Sequence, residues 1–517
     1  GALAQGETVG IDLGTTNSLV AVFRGGHPQV IPVGGAQALP SAVAYVRVPG
    51  AGPGPGEGPG EEDGGWTAPI NQASSRRGTT GAVVGASAWQ AAQSDPTSTF
   101  RSVKRILGRR DLSAEDLRRM RWLSTASVRG ASETGELLLE CPGLDTPVSA
   151  VDVSADIVRR LLDAACEDLR RHVRSAVVTV PAHFDEAQRA ATETACLLAG
   201  LERVKLLREP EAAALAYGYK QQEDERCLVF DLGGGTFDVS VVDVGGDTIE
   251  VIATCGDVSL GGDDFDEAIA AYLAAEFAAT KGVALEEPRA WHRLMCAARD
   301  ARHALSKSLA ARVTVADIAT DASGRALSIN ATLTRRKMES VTKHLIERLV
   351  PPVVQVALDA GIQISAGPGI VEELSEGYTQ GRPGPGARAR MRDAKQTRAA
   401  HARNSVAWRW QRMARRWATG DTHRIQRFAP GVPFSKVILV GGATRMAVVS
   451  RLLKRLTGVA PQRSVDPEEA VALGAAVQAA ILDGVEGAGT LAVFNPFHGG
   501  RRHRRGDALA EGGEEEA

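Results

Sequence analysis

The chain has 517 residues, enough for more than one lobe with its own core. Its 60 basic and 62 acidic residues leave a formal charge of −2, so no global field gathers nucleic acid or an anionic membrane surface. No apolar run approaches the roughly 18 residues that cross a bilayer. The six cysteines stand apart with no CxxC pair, which fits reduced buried thiols and excludes a disulfide frame or a zinc site.

The first predicted element is a hairpin. VGIDLGTTNSLVAVF (9–23) is an apolar run ending in Asp12, then Leu13-Gly14 with Thr15 and Thr16, then a second β-rich run. Residues 50–65, GAGPGPGEGPGEEDGG, predict a flexible surface loop. SVKRILGRR (102–110) read in isolation is solvated charge. SAVVTV (175–180) predicts a short apolar strand, and DEAQRAATETACLLAG (185–200) an amphipathic helix ended by Gly200. Between them, His183 reads as a packing or surface residue, not a metal ligand. EPEAAALAYGY (209–219) predicts an Ala-rich helix, with Glu209 placed where the helix dipole favours a carboxylate. LVFDLGGGTFDVSVV (228–242) repeats the first hairpin, with Asp231 in the place of Asp12. FDEAIAAYLAAEFAATKG (265–282) predicts a third helix. Residues from about 365 to 433 turn basic and Trp-bearing, with few aliphatics; they read as an inserted loop in preference to an arm for an anionic partner such as RNA. KVILVGG (436–442) is a strand running into a glycine turn, and PEEAVALGAAVQAAILDG (467–484) a closing helix with Pro467 in its first turn. The tail from about 486 ends in a basic and then an acidic cluster and is expected to be disordered.

Two matching hairpins far apart predict a duplicated α/β fold with a ligand between its halves. Gly14, Gly233, Gly234 and Gly235 have no Cβ, so backbone N–H groups can approach phosphate oxygens. Asp12 and Asp231 would face each other and hold a hydrated Mg²⁺. The third turn, Gly441 and Gly442 with Ala443, Thr444 and Arg445, supplies an adenosine side.

GIDLGTTNS, SVKRILGRR, VTVPAHFDEAQR, REPEAAALAYG, VFDLGGGTFDVS, LGGDDFD and ILVGGATRM, in that order, resemble the nucleotide-binding domain of the 70-kilodalton heat-shock chaperones (DnaK type). The resemblance covers roughly residues 7–362 and 436–485. It implies the actin-like two-lobed ATPase fold, a duplicated ribonuclease-H-like sheet core with flanking helices. Lobe I would span 7–222 and lobe II 223–485. The implied ligands are ATP or ADP with Mg²⁺, and K⁺ as a further ion.

Position by position, the resemblance makes Asp12 and Asp231 holders of the Mg²⁺ water shell and sets Thr15 and Thr16 on the β- and γ-phosphates. Lys104 becomes the catalytic lysine that stabilises γ-phosphoryl charge. Glu209 approaches the metal's water shell, and Thr236 and Asp238 complete the second hairpin's contacts. Gly441, Gly442 and Arg445, with Arg302 and Ser306 from CAARDARHALS, line the adenosine. Pro181 and Arg189 match a pair that relays nucleotide state. Glu211 stands where the family usually has Thr and would repel phosphate if it faced the site. Arg299, His303 and Ala443 also depart from the usual residues and put one or two hydrogen bonds to the adenosine in doubt, about 0.5–1.5 kcal/mol each.

The resemblance implies a J-domain co-chaperone and a nucleotide-exchange factor as partners, in cytoplasm or an organelle stroma or matrix; the small net charge and the lack of a spanning apolar run speak against a membrane or nucleic-acid partner. No β-rich stretch of about 100 residues follows the closing helix. The expectation is therefore an ATPase domain with its peptide-binding domain absent and its unfolded-protein clients in doubt. Two other readings stay open: a nucleotide-binding regulatory module with little turnover, and a sugar-kinase-like member of the same fold. Several motifs also resemble the iron–sulfur-assembly branch of the chaperones.

Overall fold

The computed structural model describes residues 8–47, 80–110, 128–129, 137–141, 144, 146–218, 224–245, 248–362, 364, 433–462, 464–488 and 492–494. The expected loop at 50–65 and nearly all of 365–433 lie outside these residues, as does the expected lobe boundary at 222/223.

Both hairpins form. In the first half, β1 (Thr8–Asp12) pairs antiparallel with β2 (Asn17–Arg24), which pairs with β3 (His27–Ile31). On its other side β1 runs parallel to β4 (Ser175–Val180), and β4 to β5 (Arg203–Arg208). The second half repeats the motif with β6 (Glu225–Leu232), β7 (Phe237–Gly245) and β8 (Thr248–Asp257), and with β9 (Lys436–Val440) parallel to β6. Strands β1, β4, β6 and β7 are almost wholly buried, as their near-continuous apolar runs require for sheets covered on both faces.

Within the stretch from about 486, expected to be largely disordered, Ala492–Phe494 forms β10 and pairs parallel with Thr248–Glu250 of β8; residues 495–517 lie outside the described residues. An edge strand presents a row of backbone donors and acceptors, and a short Ala-Val-Phe run supplies their partners.

On the outer face of the first sheet lie α1 (Ala150–Leu169) and α2 (Glu186–Leu198). Helix α1 starts at a capping box: the Ser149 side chain accepts from the Asp152 backbone N–H, while Asp152 Oδ2 accepts from Ser149 N at 2.9 Å. Ser149→Ala should cost about 1 kcal/mol, to be read as a lower midpoint in urea with an unchanged slope.

Between the two sheets cross α3 (Glu209–Gly218) and the closing helix α6 (Ala470–Leu482). Helix α3 packs on β7 and β8, and α6 on β1 and β2. Both are Ala-rich, so their backbones approach closely. A Cβ at Gly474 would lie 1.7 Å from the Ala212 carbonyl oxygen, and one at Gly10 2.2 Å from Ala476 N. Helix α6 begins at Ala470, later than the sequence suggests. Pro467 belongs to the preceding turn, where its carbonyl accepts from Gly441 N at 2.8 Å.

Two further units rise beside the cleft. A three-stranded sheet (Ala42–Arg47, Thr80–Val84, Thr99–Arg101) carries the helix Ala86–Ser94 over the first half. Helices α4 (Gly262–Lys281) and α5 (Pro288–Lys307) pack together over the second half, α5 against the hairpin strand Ala310–Thr320. No helix among the described residues is long and apolar enough to cross a membrane. All six cysteines are free, and four are buried.

Candidate functional site between the two hairpins

The turns of the two hairpins meet between the halves, around a cavity of about 300 Å³, within the size range of small-molecule sites. Asp12 ends β1, and Asp231 sits opposite Asp238 in the β6–β7 register. Like charges placed opposite each other weaken a ladder, so this pairing serves the site and not the sheet. The hairpins touch: a Cβ at Gly234 would lie 1.6 Å from Thr16 Oγ1. Gly441 has φ of 82° and would drive a Cβ to 2.4 Å from the Leu232 carbonyl oxygen. Both positions require glycine, one for close approach and one also for its backbone angle.

Lys104 enters from a short 3₁₀ turn, Val103–Arg105, opened by Ser102 in the left-handed region at φ 53°. Both flanks of the turn are tied to the opposite half. Ser102 Oγ donates to Asp263 Oδ2 at 2.7 Å; Arg105 pairs with Asp264 at 2.6 Å and donates to Gly234 O at 3.2 Å. Lys104 is thereby aimed inward, with Nζ donating to Glu209 Oε1 at 2.7 Å and both side chains 8% exposed. Glu209, the first residue of α3, is buried with Lys104 although 105 positions separate them.

The charges are unbalanced. Burial pushes Asp231 well above the usual carboxylate range, and Glu209, Asp238 and Asp12 add to the effect. Burial also raises Glu209 and Asp12, against the pull of Lys104. For Asp12 a 3.1 Å bond from Thr179 Oγ1 pulls the same way as Lys104. Lys104 itself stays charged: burial acts to lower it, but Glu209 and Asp12 outweigh burial. Three carboxylates, Asp12, Glu209 and Asp231, to one ammonium in the cleft wall is an arrangement that a divalent cation would offset. Among the described residues no three His, Cys, Asp or Glu side chains converge to ligate an ion directly. The donor set therefore fits a cation held through its own water, as Mg²⁺ commonly is.

The cavity wall contains Asp12, Gly14, Thr15 and Thr16 from the first half, Lys104 and Glu209 beside them, and Asp231, Gly233, Gly234 and Thr236 opposite. At its other end are Arg302, Gly441 and Gly442, with the departing residues Arg299, His303 and Ala443. Arg302 is buried and bound to Asp266 through Nε at 2.6 Å and Nη2 at 3.0 Å. Other expected residues stand aside from the wall. Gly235 packs on Thr15 and Arg105. Ser306 Oγ donates to the Arg302 carbonyl at 3.2 Å, and Arg445 turns to Asp466 at 2.5 Å. Asp238 is engaged by His183. Glu211 does not face the cavity; its Oε2 accepts from Arg208 N at 3.3 Å at the start of α3, where the helix dipole favours a carboxylate. Pro181 and Arg189 shape one loop, in which Phe184 N donates to Pro181 O at 3.2 Å and Arg189 Nη1 to Phe184 O at 2.6 Å.

Sequence reasoning missed Trp89. Its ring lies between the Arg101 guanidinium at 4.5 Å and that of Arg299, from the other half, at 4.2 Å, and His292 meets it edge-on at 5.9 Å. An aromatic on an amphipathic helix carries no signal of so distant a partner. His292 is only 4% exposed, and burial followed by Arg101 and Arg299 pushes it down to about 3. The unfolded chain takes up this proton near pH 6.5 and the folded chain does not. Stability is therefore lost as pH falls from about 6.5 towards 3, by on the order of 2–4 kcal/mol. His292→Gln should flatten that loss in acid denaturation curves, and an unchanged slope would refute it.

A sequence profile described as Hsp70 protein matches residues 8–49, 77–371 and 433–494. Its gaps fall on the Gly/Pro-rich stretch and on most of the basic, Trp-bearing one. The chain is 34% identical over 480 residues to Heat shock 70 kDa protein 6, chloroplastic, of Arabidopsis thaliana, covering 92% of this chain and 52% of that protein. It is 35% identical over 485 residues to Chaperone protein DnaK of Prochlorococcus marinus, covering 93% and 60%. It is 34% identical over 480 residues to the Stromal 70 kDa heat shock-related protein, chloroplastic, of Pisum sativum, covering 92% and 53%. The chain thus spans little more than half the length of the curated relatives it matches.

Proposed function

The chain belongs to the Hsp70 family, and from that premise we propose that its cleft binds Mg²⁺–ATP and hydrolyses the β–γ bond. The observation that carries the reading is the buried Lys104–Glu209 pair set between two Asp-bearing glycine hairpins.

Glycine backbone at Gly14, Gly233 and Gly234, with Thr15 and Thr16, would hold the phosphate oxygens. Asp12 and Asp231 would hold Mg²⁺ through water, and the ion when bound supplies positive charge to the phosphates. Lys104 places a fixed ammonium where charge grows on the transferring phosphoryl group. Glu209 holds that ammonium in place and offers a carboxylate to orient the attacking water. Such a site works by position and electrostatics, with no covalent intermediate. Arg302, locked on Asp266, and the Gly441–Gly442 turn form the adenosine end.

A second reading, nucleotide binding with little turnover, has Arg299 in its favour: stacked on Trp89, it ties the two halves beside the cavity. Calorimetry with ATP and ADP in excess Mg²⁺, joined to single-turnover phosphate release, separates the two. Binding with release above background supports hydrolysis; binding alone supports the second reading; no binding sinks both. Family membership supports a J-domain co-chaperone and a nucleotide-exchange factor as partners. The chloroplast and cyanobacterial names among the relatives support an organelle stroma or the cytoplasm as the compartment.

A further inference from the structure

His183 lies in the loop between β4 and α2. Its Nδ1 stands 2.5 Å from Asp238 Oδ1. Asp238 is the register partner of Asp231 and is 3% exposed, so this contact joins the two halves beside the carboxylate cluster. The ring rests on backbone: a Cβ at Gly256 would come within 2.9 Å of its Cε1. Arg189 and Pro181 fix the loop, as described above, and Phe184, the next residue, lies 5.8 Å from the Lys104 ammonium. One short loop therefore touches both the catalytic lysine and the second hairpin.

Two charged groups bear on His183. The hydrogen bond that its ring N–H donates to Asp238 raises it, against burial and against Arg208 of β5, and the net direction is up. The ring remains partly exposed, its side chain at 29%, so it exchanges protons with solvent. When the proton leaves, the pair changes from neutral to singly negative. Asp231 and Glu209 both feel the Asp238 charge, so the extra negative charge is felt where phosphates would sit.

Resting on the nucleotide reading above, we infer that His183 is a positioning residue of the cleft: it holds the Asp238 carboxylate and cancels its charge, so loss of its proton weakens nucleotide binding as pH rises. His183→Gln keeps a donor for Asp238 but cannot titrate. ADP affinity in excess Mg²⁺, measured by calorimetry from pH 6 to 8.5 on the whole protein, reports the difference. Titration of ADP itself cancels in the ratio of the two proteins.

The affinity of the wild type relative to His183→Gln should fall by about 3- to 10-fold across that range, the effect of one unit charge at moderate distance and screening. A ratio that stays constant overturns the proposal. NMR titration gives a readout independent of nucleotide. The His183 ring should titrate above 6.5 in the wild type and lower in Asp238→Asn; a wild-type value at or below 6.5 also overturns it. If neither protein binds ADP at any pH, the nucleotide reading falls and this proposal with it. Binding with parallel pH profiles removes this proposal alone.

Discussion

Lys104→Ala should slow single-turnover ATP hydrolysis by about 10²- to 10³-fold, the usual loss for a preorganised charge aimed at a reacting phosphoryl group, while ATP affinity changes by only a few-fold. The asymmetry follows from the geometry. On the function proposed above, the phosphates would be held mainly by glycine backbone and the two Thr side chains, which the substitution leaves alone. The ammonium sits on Glu209 at 2.7 Å in a buried cleft, where its charge is worth far more than in water. The same substitution strands Glu209 beside Asp12 and Asp231 without a cation. Breaking a buried pair from one side can cost about 3–5 kcal/mol, less whatever protonation of Glu209 recovers. Thermal unfolding should therefore be measured with the rate, so that a folding defect is not read as a catalytic one. Equal rates in a folded Lys104→Ala protein would remove the lysine from the mechanism and favour the module without turnover.

The hairpins were legible in the sequence because their signal is local. A strand-length apolar run, an Asp, a glycine step and a second run lie within fifteen residues, and the second copy repeats the first. The helices at 186–198, 209–218 and 262–281 were legible for the same reason, since caps and apolar spacing act over one or two turns. What joins these pieces is not local. No periodicity relates Lys104 to Glu209, or Ser102 to Asp263; only the resemblance to a family with known spacing put Lys104 in the cleft. Where the chain departs from that family, neither signal helps. Glu211, feared as a repulsive neighbour of phosphate, turns to its own helix start. His183 is a surface residue as expected, but its contact with Asp238 across the halves has no local signal, and Trp89 takes an arginine from each half. A titratable side chain in the loop just past the C-terminal end of a parallel strand, as His183 is, was an available cue, because ligand sites in such sheets gather there.

Gly474→Ala should destabilise the protein by about 3 kcal/mol or more, whereas Gly484→Ala, ten residues on in the turn after the same helix, should cost only about 1–2 kcal/mol. The contrast isolates close packing from backbone strain. Gly484 has φ of 67° with nothing within 4 Å of a new Cβ, so its cost is the left-handed conformation alone. Gly474 is helical, but its Cβ would stand 1.7 Å from the Ala212 carbonyl oxygen and 2.4 Å from the carbon behind it. Neither atom is a flexible side-chain end, so α3 and α6 must separate by an ångström or more, reopening the layer between the sheets. Overpacking of this kind costs about 1–3 kcal/mol when neighbours can adjust and more when backbone must move. The effect reaches the site because Ala212 lies one helical turn from Glu209. A displaced α3 start lengthens the Lys104–Glu209 contact, so even the folded fraction of Gly474→Ala should hydrolyse ATP more slowly, while Gly484→Ala retains its rate. Chemical denaturation of both variants, with single-turnover rates normalised to folded protein, checks the two halves of this expectation. Equal stability of the two variants would mean that the helices do not cross as closely as described.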